Sequence, residues 1–369
     1  MNNYKEFVSE ISSFFNLEKV SGEYFRFKDQ KNISNFPKQS IHEYFNDVPL
    51  IPADNVIRTD DSTTLFTCAG VQHIETMIKN NEILKDFSIY QPSIRTQFIG
   101  KTKEGVSTSF VNFSSTIFNI SNDKFLDKTK SYISLLNNYG YNNNDLLVRF
   151  EERSNAWGTK KFTTYVASLY YNNFRMGECI FMKYFPINSN QVSNIMEVGF
   201  GLERMEWLSK KNNYYFSRYK EIYDQFKNND VSIDQITTII DSVRTSILIA
   251  GNGIVSSNNN HGYRLRQLLK HFVFNNANIS IPLNKLERIA YDEWKSNTFV
   301  QYDKICDIIG KEVERNEHAY LLDLLKRCNI KTNIDITLPN DAFIRSLKSR
   351  IYRENTDVIL DKLFKEKVK

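Results

Sequence analysis

The chain has 369 residues, 41% hydrophobic and 14% aromatic, with 48 Lys and Arg against 43 Asp and Glu. That length predicts two or three domains with ample core, and the composition excludes a disordered or collagen-like chain. The small positive excess is compatible with nucleic acid without pointing to it.

The four cysteines, Cys68, Cys179, Cys306 and Cys328, are scattered, and no Cys-x-x-Cys occurs. The five histidines form no metal-spaced cluster. Neither a disulfide framework nor a metal site is expected, and the expected setting is a reducing cytoplasm. The opening Met-Asn-Asn-Tyr-Lys-Glu lacks an apolar signal core, and no stretch reaches the apolar length of a membrane span.

Tyr4 to Phe15 predicts an amphipathic helix, with Phe7, Ile11, Phe14 and Phe15 at helical spacing. The rest of 1–40 is polar and aromatic without a motif, so 1–40 reads as an N-terminal extension. Ile41 to Phe45 predicts a short helix stopped by Pro49 and Pro52, and Val56 to Arg58 continues extended. Thr64 to Gln72 reads as a buried strand ending at Gly70. Residues 87–120 predict a long hairpin. Ile89, Ile94, Phe98 and Ile99 precede a polar loop at 100–105, and alternation resumes around Phe110-Val111-Asn112-Phe113. Strands are predicted over Asp145–Glu152 and Met176–Phe185, with Ser154–Lys160 as a glycine-containing loop.

Residues 194–198 alternate as a strand, Gly199 and Gly201 allow a tight turn, and Leu202–Lys210 reads as a helix with Arg204 in its first turn. An arginine beside the free N–H groups of a helix start can hold a phosphate oxygen, or simply pair with a surface carboxylate. Residues 211–231 form a polar connector. Ile236, Ile239, Ile240, Val243, Ile247 and Leu248 then mark a helix ended by Gly251 and Gly253. Beyond an Asn-rich loop, Leu265, Leu268, Leu269 and Phe272 form a stripe, while Arg266 and Lys270, one turn apart, can face phosphates together. Residues 280–369 read as helical throughout, with Ile305, Ile308, Ile309 and Val313 as one stripe.

Several of these stretches resemble the class II aminoacyl-tRNA synthetases, and the alanyl-tRNA synthetase family in particular. Gly199-Phe200-Gly201-Leu202-Glu203-Arg204 resembles the third class II signature, and Gln91-Pro92-Ser93-Ile94-Arg95 the second. Leu65-Phe66-Thr67-Cys68-Ala69-Gly70 resembles the family's Leu-Phe-Thr-Asn-Ala-Gly. In the block from Ile240 to Lys270, Asp241, Arg244, Gly253, Ser257, Asn258, Asn260, Gly262, Tyr263, Leu265 and Arg266 match. The chain departs from the family at Asn112, where the family has Glu, and at Glu197, where it has Asp. It also lacks the family's cysteine- and proline-rich segment.

The resemblance implies an α+β fold: a class II antiparallel β-sheet flanked by helices, followed by an all-helical domain. It implies a catalytic domain over 41–225 and an acceptor-stem recognition domain over 232–369, with no editing domain. The implied reaction is activation of a small amino acid by ATP and Mg2+, then transfer to tRNA. Arg95 and Arg204 would clamp the triphosphate and carry catalysis, with Lys101 and Phe110 completing the ATP site. Glu197, Glu178 and Gly199 would bind the amino acid. Asp241, Arg244, Asn258, Asn260, Arg266 and Lys270 would contact the tRNA acceptor stem. Two alternatives stay open: a ligase serving a carrier protein or small amine, and an inactive paralogue with a binding or regulatory role.

Overall fold

The computed structural model describes residues 3–28, 45, 47–59, 64–102, 106–138, 145–157, 160–171, 174–187, 191–205, 217–226, 231–327 and 334–351. Residues 41–44 of the expected 41–45 helix, the 202–210 helix beyond Met205, and 211–216 and 227–230 of the expected 211–231 connector lie outside these residues, as does Cys328. The chain divides into two compact units. The first comprises 1–56, 67–93 and 110–212, and the second 57–66, 94–109 and 213–369. Both discontinuous stretches of the second unit fall inside the range expected from sequence to be one catalytic domain.

Among the described residues, nine strands form one sheet. They are β1 (Leu17–Ser21), β2 (Tyr24–Phe27), β3 (Leu50–Ile51), β4 (Phe87–Ile94), β5 (Ser109–Phe118), β6 (Leu146–Trp157), β7 (Lys160–Tyr171), β8 (Phe174–Pro186) and β9 (Val192–Gly201). Their order is β1-β2-β6-β7-β8-β9-β5-β4-β3. The β6–β7, β7–β8, β8–β9 and β5–β9 pairs are antiparallel, and β3 joins β4 in parallel.

The alternation expected of strands sorts their side chains onto two faces. Phe113, Ile117, Cys179, Phe181, Met196, Val198 and Phe200 share one core with Phe7 and Ile11 of α1 (Tyr4–Phe14) and Phe125 and Tyr132 of α3 (Asn122–Asn138). Asn3 caps α1, its side chain accepting the Glu6 N–H at 3.0 Å. On the opposite face Phe87, Ile89, Phe118, Met182 and Ile195 pack with Ile74 and Met77 of α2 (His73–Lys79). Beyond that cluster the same face carries Ser114, Thr116, Glu197 and Glu178.

Four sequence expectations change here, one being the Ser154–Lys160 loop, where 154–157 complete β6 and Lys160 opens β7. The N-terminal residues are not an appendage: α1 fills the core, and β1 and β2, turned at Gly22 (φ +51°), extend the sheet through β6. The Thr64–Gln72 stretch makes one bridge, Phe66 to Ile57, then coils into a 3-10 turn over Gly70–Gln72. Gly199 and Gly201 do not turn, because β9 runs extended through both. Helix then begins directly at Leu202.

The second unit is helical, with α4 (Lys220–Phe226), α5 (Ile233–Gly251), α6 (Asn260–Asn276), α7 (Leu283–Trp294), α8 (Tyr302–Arg327) and α9 (Asn340–Ile351). Ser232 caps α5 by accepting the Gln235 N–H at 3.1 Å, and Gly253 (φ +84°) follows its end. From Ile236 to Gly251 every residue of α5 is buried, and α6, α7 and α8 all pack against it.

Candidate functional site

The polar face of the sheet is built where β5, β9 and β8 run side by side. Register places Asn112 opposite Gly201, Ser114 opposite Gly199 and Thr116 opposite Glu197. On the other flank Glu178 pairs with Gly199 and Ile180 with Glu197. The two glycines therefore form a floor without side chains between polar walls. Glu197 is buried at 7% exposure, and the Ser114 hydroxyl donates to its Oε1 at 3.0 Å. The Phe110 ring lies beside Gly201, where an added Cβ would come within 3.3 Å of it. At the other end the turn at Gly70 closes on Ser114, and a Cβ there would meet the Ser114 Cβ at 2.3 Å.

Arg204 stands at the first helical turn after β9, half-buried, with Nη1 donating to the Arg175 carbonyl at 2.7 Å. The preceding Glu203 fixes that turn, because both its carboxylate oxygens accept the Val111 N–H at 2.9 Å. This ties the helix start to the strand that carries Phe110. Gln91 is fixed in the same unit by paired bonds with the Asp54 backbone, at 2.8 and 2.9 Å.

Farther along the face lies a ladder of charge that sequence reading missed. Glu178 accepts from Arg175 at 2.8 Å, Arg153 at 3.2 Å and the Ser168 hydroxyl at 3.1 Å. Arg149 pairs with Glu151 at 3.0 Å, and Arg153 also bonds Glu151. The signal was present as alternation in Arg149-Phe150-Glu151-Glu152-Arg153, where the odd positions share the polar face. Glu178, expected to bind substrate, thus already serves two guanidinium groups. Burial pushes the Cys179 thiol up to about 12, so it is no nucleophile at neutral pH.

Arg95 and Lys101 belong to the second compact unit. Arg95 is half-buried and its N–H donates to the Thr108 carbonyl at 2.8 Å; Lys101 is exposed. Asp241 and Arg244, expected to contact RNA, are 1% and 0% exposed and are corrected here to internal fasteners. Asp241 Oδ1 accepts the Thr108 N–H at 3.0 Å. Arg244 donates to both Glu293 oxygens at 3.0 and 2.7 Å, to the Ser109 hydroxyl at 3.0 Å and to the Ser109 carbonyl, and lies 4.5 Å from the Trp294 ring centre. Together they bind residues 108–109 to α5. Asn258, Asn260 and Lys270 are exposed, with Asn260 at φ +49°. Arg266 is partly exposed, donating to Glu312 at 3.1 Å and to Asn258. Of the residues expected to face phosphates on α6, Lys270 is exposed and Arg266 is engaged with Glu312 and Asn258.

Fold and face together define an α+β protein in which a two-glycine stretch of β9 runs from a buried carboxylate to a half-buried arginine, beside an aromatic ring. No protein-family model matches the chain. It is 28% identical over 216 residues to an alanine–tRNA ligase of Prochlorococcus marinus (strain MIT 9211), covering 48% of this chain and 24% of that protein. A second Prochlorococcus marinus strain, SARG, has an alanine–tRNA ligase 26% identical over 216 residues, 49% of this chain and 24% of that one. The alanine–tRNA ligase of Crocosphaera subtropica is 29% identical over 142 residues, covering 35% and 16%. The chain thus spans about a quarter or less of the length of these curated relatives. Among solved structures, a pyrrolysyl tRNA synthetase of Desulfitobacterium hafniense aligns with a TM-score of 0.28 at 10% identity, covering 57% of this chain and 68% of that one. The sequence matches support an aminoacyl-tRNA synthetase-like relationship. No helix among the described residues is long and apolar enough to cross a membrane.

Proposed function

We propose that the chain is a synthetase-like ligase that activates a small amino acid with ATP and passes it to a tRNA. The observation that carries this reading is the polar face itself: Glu197 held by Ser114 beside a two-glycine floor, with Phe110 at its edge and Arg204 where β9 ends. A buried carboxylate with a fixed hydroxyl partner suits a primary ammonium. A guanidinium at a helix start suits phosphate oxygens.

The residues present fit ATP as a substrate. Gly201 places no Cβ against the buried Phe110 ring, and Arg204 supplies planar donors. Mg2+ would arrive on the triphosphate. Bound there, it would neutralise phosphate charge. Glu197 orients the amino end, and Arg204 stabilises charge developing on the phosphate. Orientation and charge stabilisation suffice for an in-line displacement, so no covalent nucleophile is needed. The helical unit, through Lys270, Asn258 and Asn260, is the proposed tRNA side.

Arg204→Ala is expected to abolish amino-acid-dependent ATP–pyrophosphate exchange while the circular dichroism spectrum and melting temperature stay unchanged. Arg204→Lys, which keeps the charge but loses the donor fork, should retain a measurable fraction. Full exchange by Arg204→Ala would contradict the assignment.

A further inference from the structure

We infer that Asn112 is a specificity-determining ligand of a subsite over Gly199, whose occupant carries a primary ammonium and an oxygen acceptor on neighbouring carbons, the pattern of a small α-amino acid. This deepens the proposed function and rests on its reading of Glu197 as the ammonium partner.

Three oxygens converge on one small volume. A Cβ added to Gly199 would have Glu197 Oε1 at 3.8 Å, the Phe113 carbonyl oxygen at 3.8 Å and Asn112 Oδ1 at 3.9 Å as its nearest neighbours. That spacing leaves room for an atom and surrounds it with acceptors, which is the environment of a donor-bearing cation. The same site also holds an orphaned donor. Asn112 is 4% exposed, and its buried Nδ2 has no hydrogen-bond partner among the described residues. Two strand positions beyond Ser114, the buried Thr116 Oγ1 is also without a partner, directly across from Glu197. Buried polar groups are seldom left unpaired, and two of them flanking one floor call for a ligand that bonds them.

The chemistry at position 112 sets the choice. An amide offers both an acceptor and a donor, so it can take an ammonium hydrogen and still donate to a carboxylate oxygen. A carboxylate at 112 would hold the ammonium more strongly and offer no donor to the acid end. The walls limit size: the Gly70 turn closes one end on Ser114 and the Phe110 ring stands beside Gly201 at the other. Four strand positions separate those residues on β5, roughly 13 Å.

The test is a ligand-observed NMR titration of the full chain with glycine, L-alanine, ethylamine and propionate, the last two each lacking one function. Wild type should bind glycine or L-alanine roughly ten-fold or more tightly than either partial analogue. Asn112→Ala should lose that preference, and Asn112→Asp should shift it toward ethylamine, an exchange that a purely structural role would not produce. Gly199→Ala should melt with wild type, because its methyl meets nothing closer than 3.8 Å, yet lose binding because the methyl occupies the volume. Failure of wild type to bind any of the four probes would overturn the subsite, as would unchanged affinity and preference in Asn112→Ala. The two proposals separate cleanly. Binding without pyrophosphate exchange for any amino acid sinks adenylation and leaves the subsite. Exchange whose amino-acid KM is unmoved by Asn112→Ala and Gly199→Ala sinks the subsite and leaves adenylation.

Discussion

Replacing Arg244 with alanine should strip the helical unit of much of its stability. The guanidinium is fully buried, bonds both oxygens of Glu293 at 3.0 and 2.7 Å, holds the Ser109 hydroxyl at 3.0 Å and lies 4.5 Å from the Trp294 ring centre. Removing one partner of a buried pair costs about 3–5 kcal/mol, because the other charge stays behind. The Trp294 contact is worth about 1–2 kcal/mol of the same loss. A total near 4 kcal/mol is a large share of the roughly 5–15 kcal/mol that holds an ordinary domain together. Urea unfolding followed by circular dichroism should therefore show a clear fall in midpoint for Arg244→Ala. The double variant Arg244→Met, Glu293→Leu should recover part of it, since no unpaired carboxylate remains. A loss below about 1 kcal/mol, accompanied by weaker tRNA binding, would refute the internal role and return Arg244 to the RNA surface.

Other outcomes follow from the same geometry. Burial pushes the Asp241 carboxyl up to about 6, against the opposing pull of its Thr108 hydrogen bond and Arg244. The folded state therefore prefers the protonated form: that contribution is complete below the ordinary value of 3.8 and is lost as pH rises through about 6. Stability of wild type relative to Asp241→Asn should fall by about 3 kcal/mol between those limits, and a flat difference across paired denaturation curves would contradict it. Gly70→Ala puts a methyl 2.3 Å from the Ser114 Cβ and 2.9 Å from Ile89 Cγ2. It should destabilise by about 1–3 kcal/mol in thermal melts, whereas Gly199→Ala should not. Lys270→Ala should weaken tRNA binding and lower its salt slope by about one phosphate contact, with the fold untouched. Arg266→Ala should in addition lower the melting temperature, because it releases Glu312. An unchanged slope for Lys270→Ala would place the RNA elsewhere.

The β8 and β9 strands announced themselves, whereas β7, central in the sheet, was not expected from sequence. Alternation in β8 and β9 reflects which face is buried, and that pattern is local; the helical spacing of the apolar residues in α5 marked a helix but not its burial on every side. Gly199 and Gly201 misled because glycine is equally at home in a turn and in a strand. Here their missing side chains matter more than their freedom, and only the neighbouring strands reveal it. The β1–β2 hairpin was overlooked in a short, polar stretch, although Gly22 between two aromatic-bearing segments was a turn signal. Asp241 and Arg244 read as surface charges because sequence carries no burial for a pair whose partners, Thr108, Ser109 and Glu293, are distant along the chain. Asn112 looked like a loss against the family pattern, and its position beside the glycine floor depends on a β5–β9 register that no single stretch encodes. The roles proposed for Arg95 and Arg204 rest on motif resemblance and chemistry rather than on contacts within either unit.

ATP–pyrophosphate exchange with each of the twenty amino acids, with and without bulk tRNA, tests the central claim most directly. Exchange confined to one or a few small amino acids, with alanine, glycine and serine first among them, is the predicted result. Absence of exchange with every amino acid under both conditions would contradict adenylation by this chain and leave the polar face as a binding site alone.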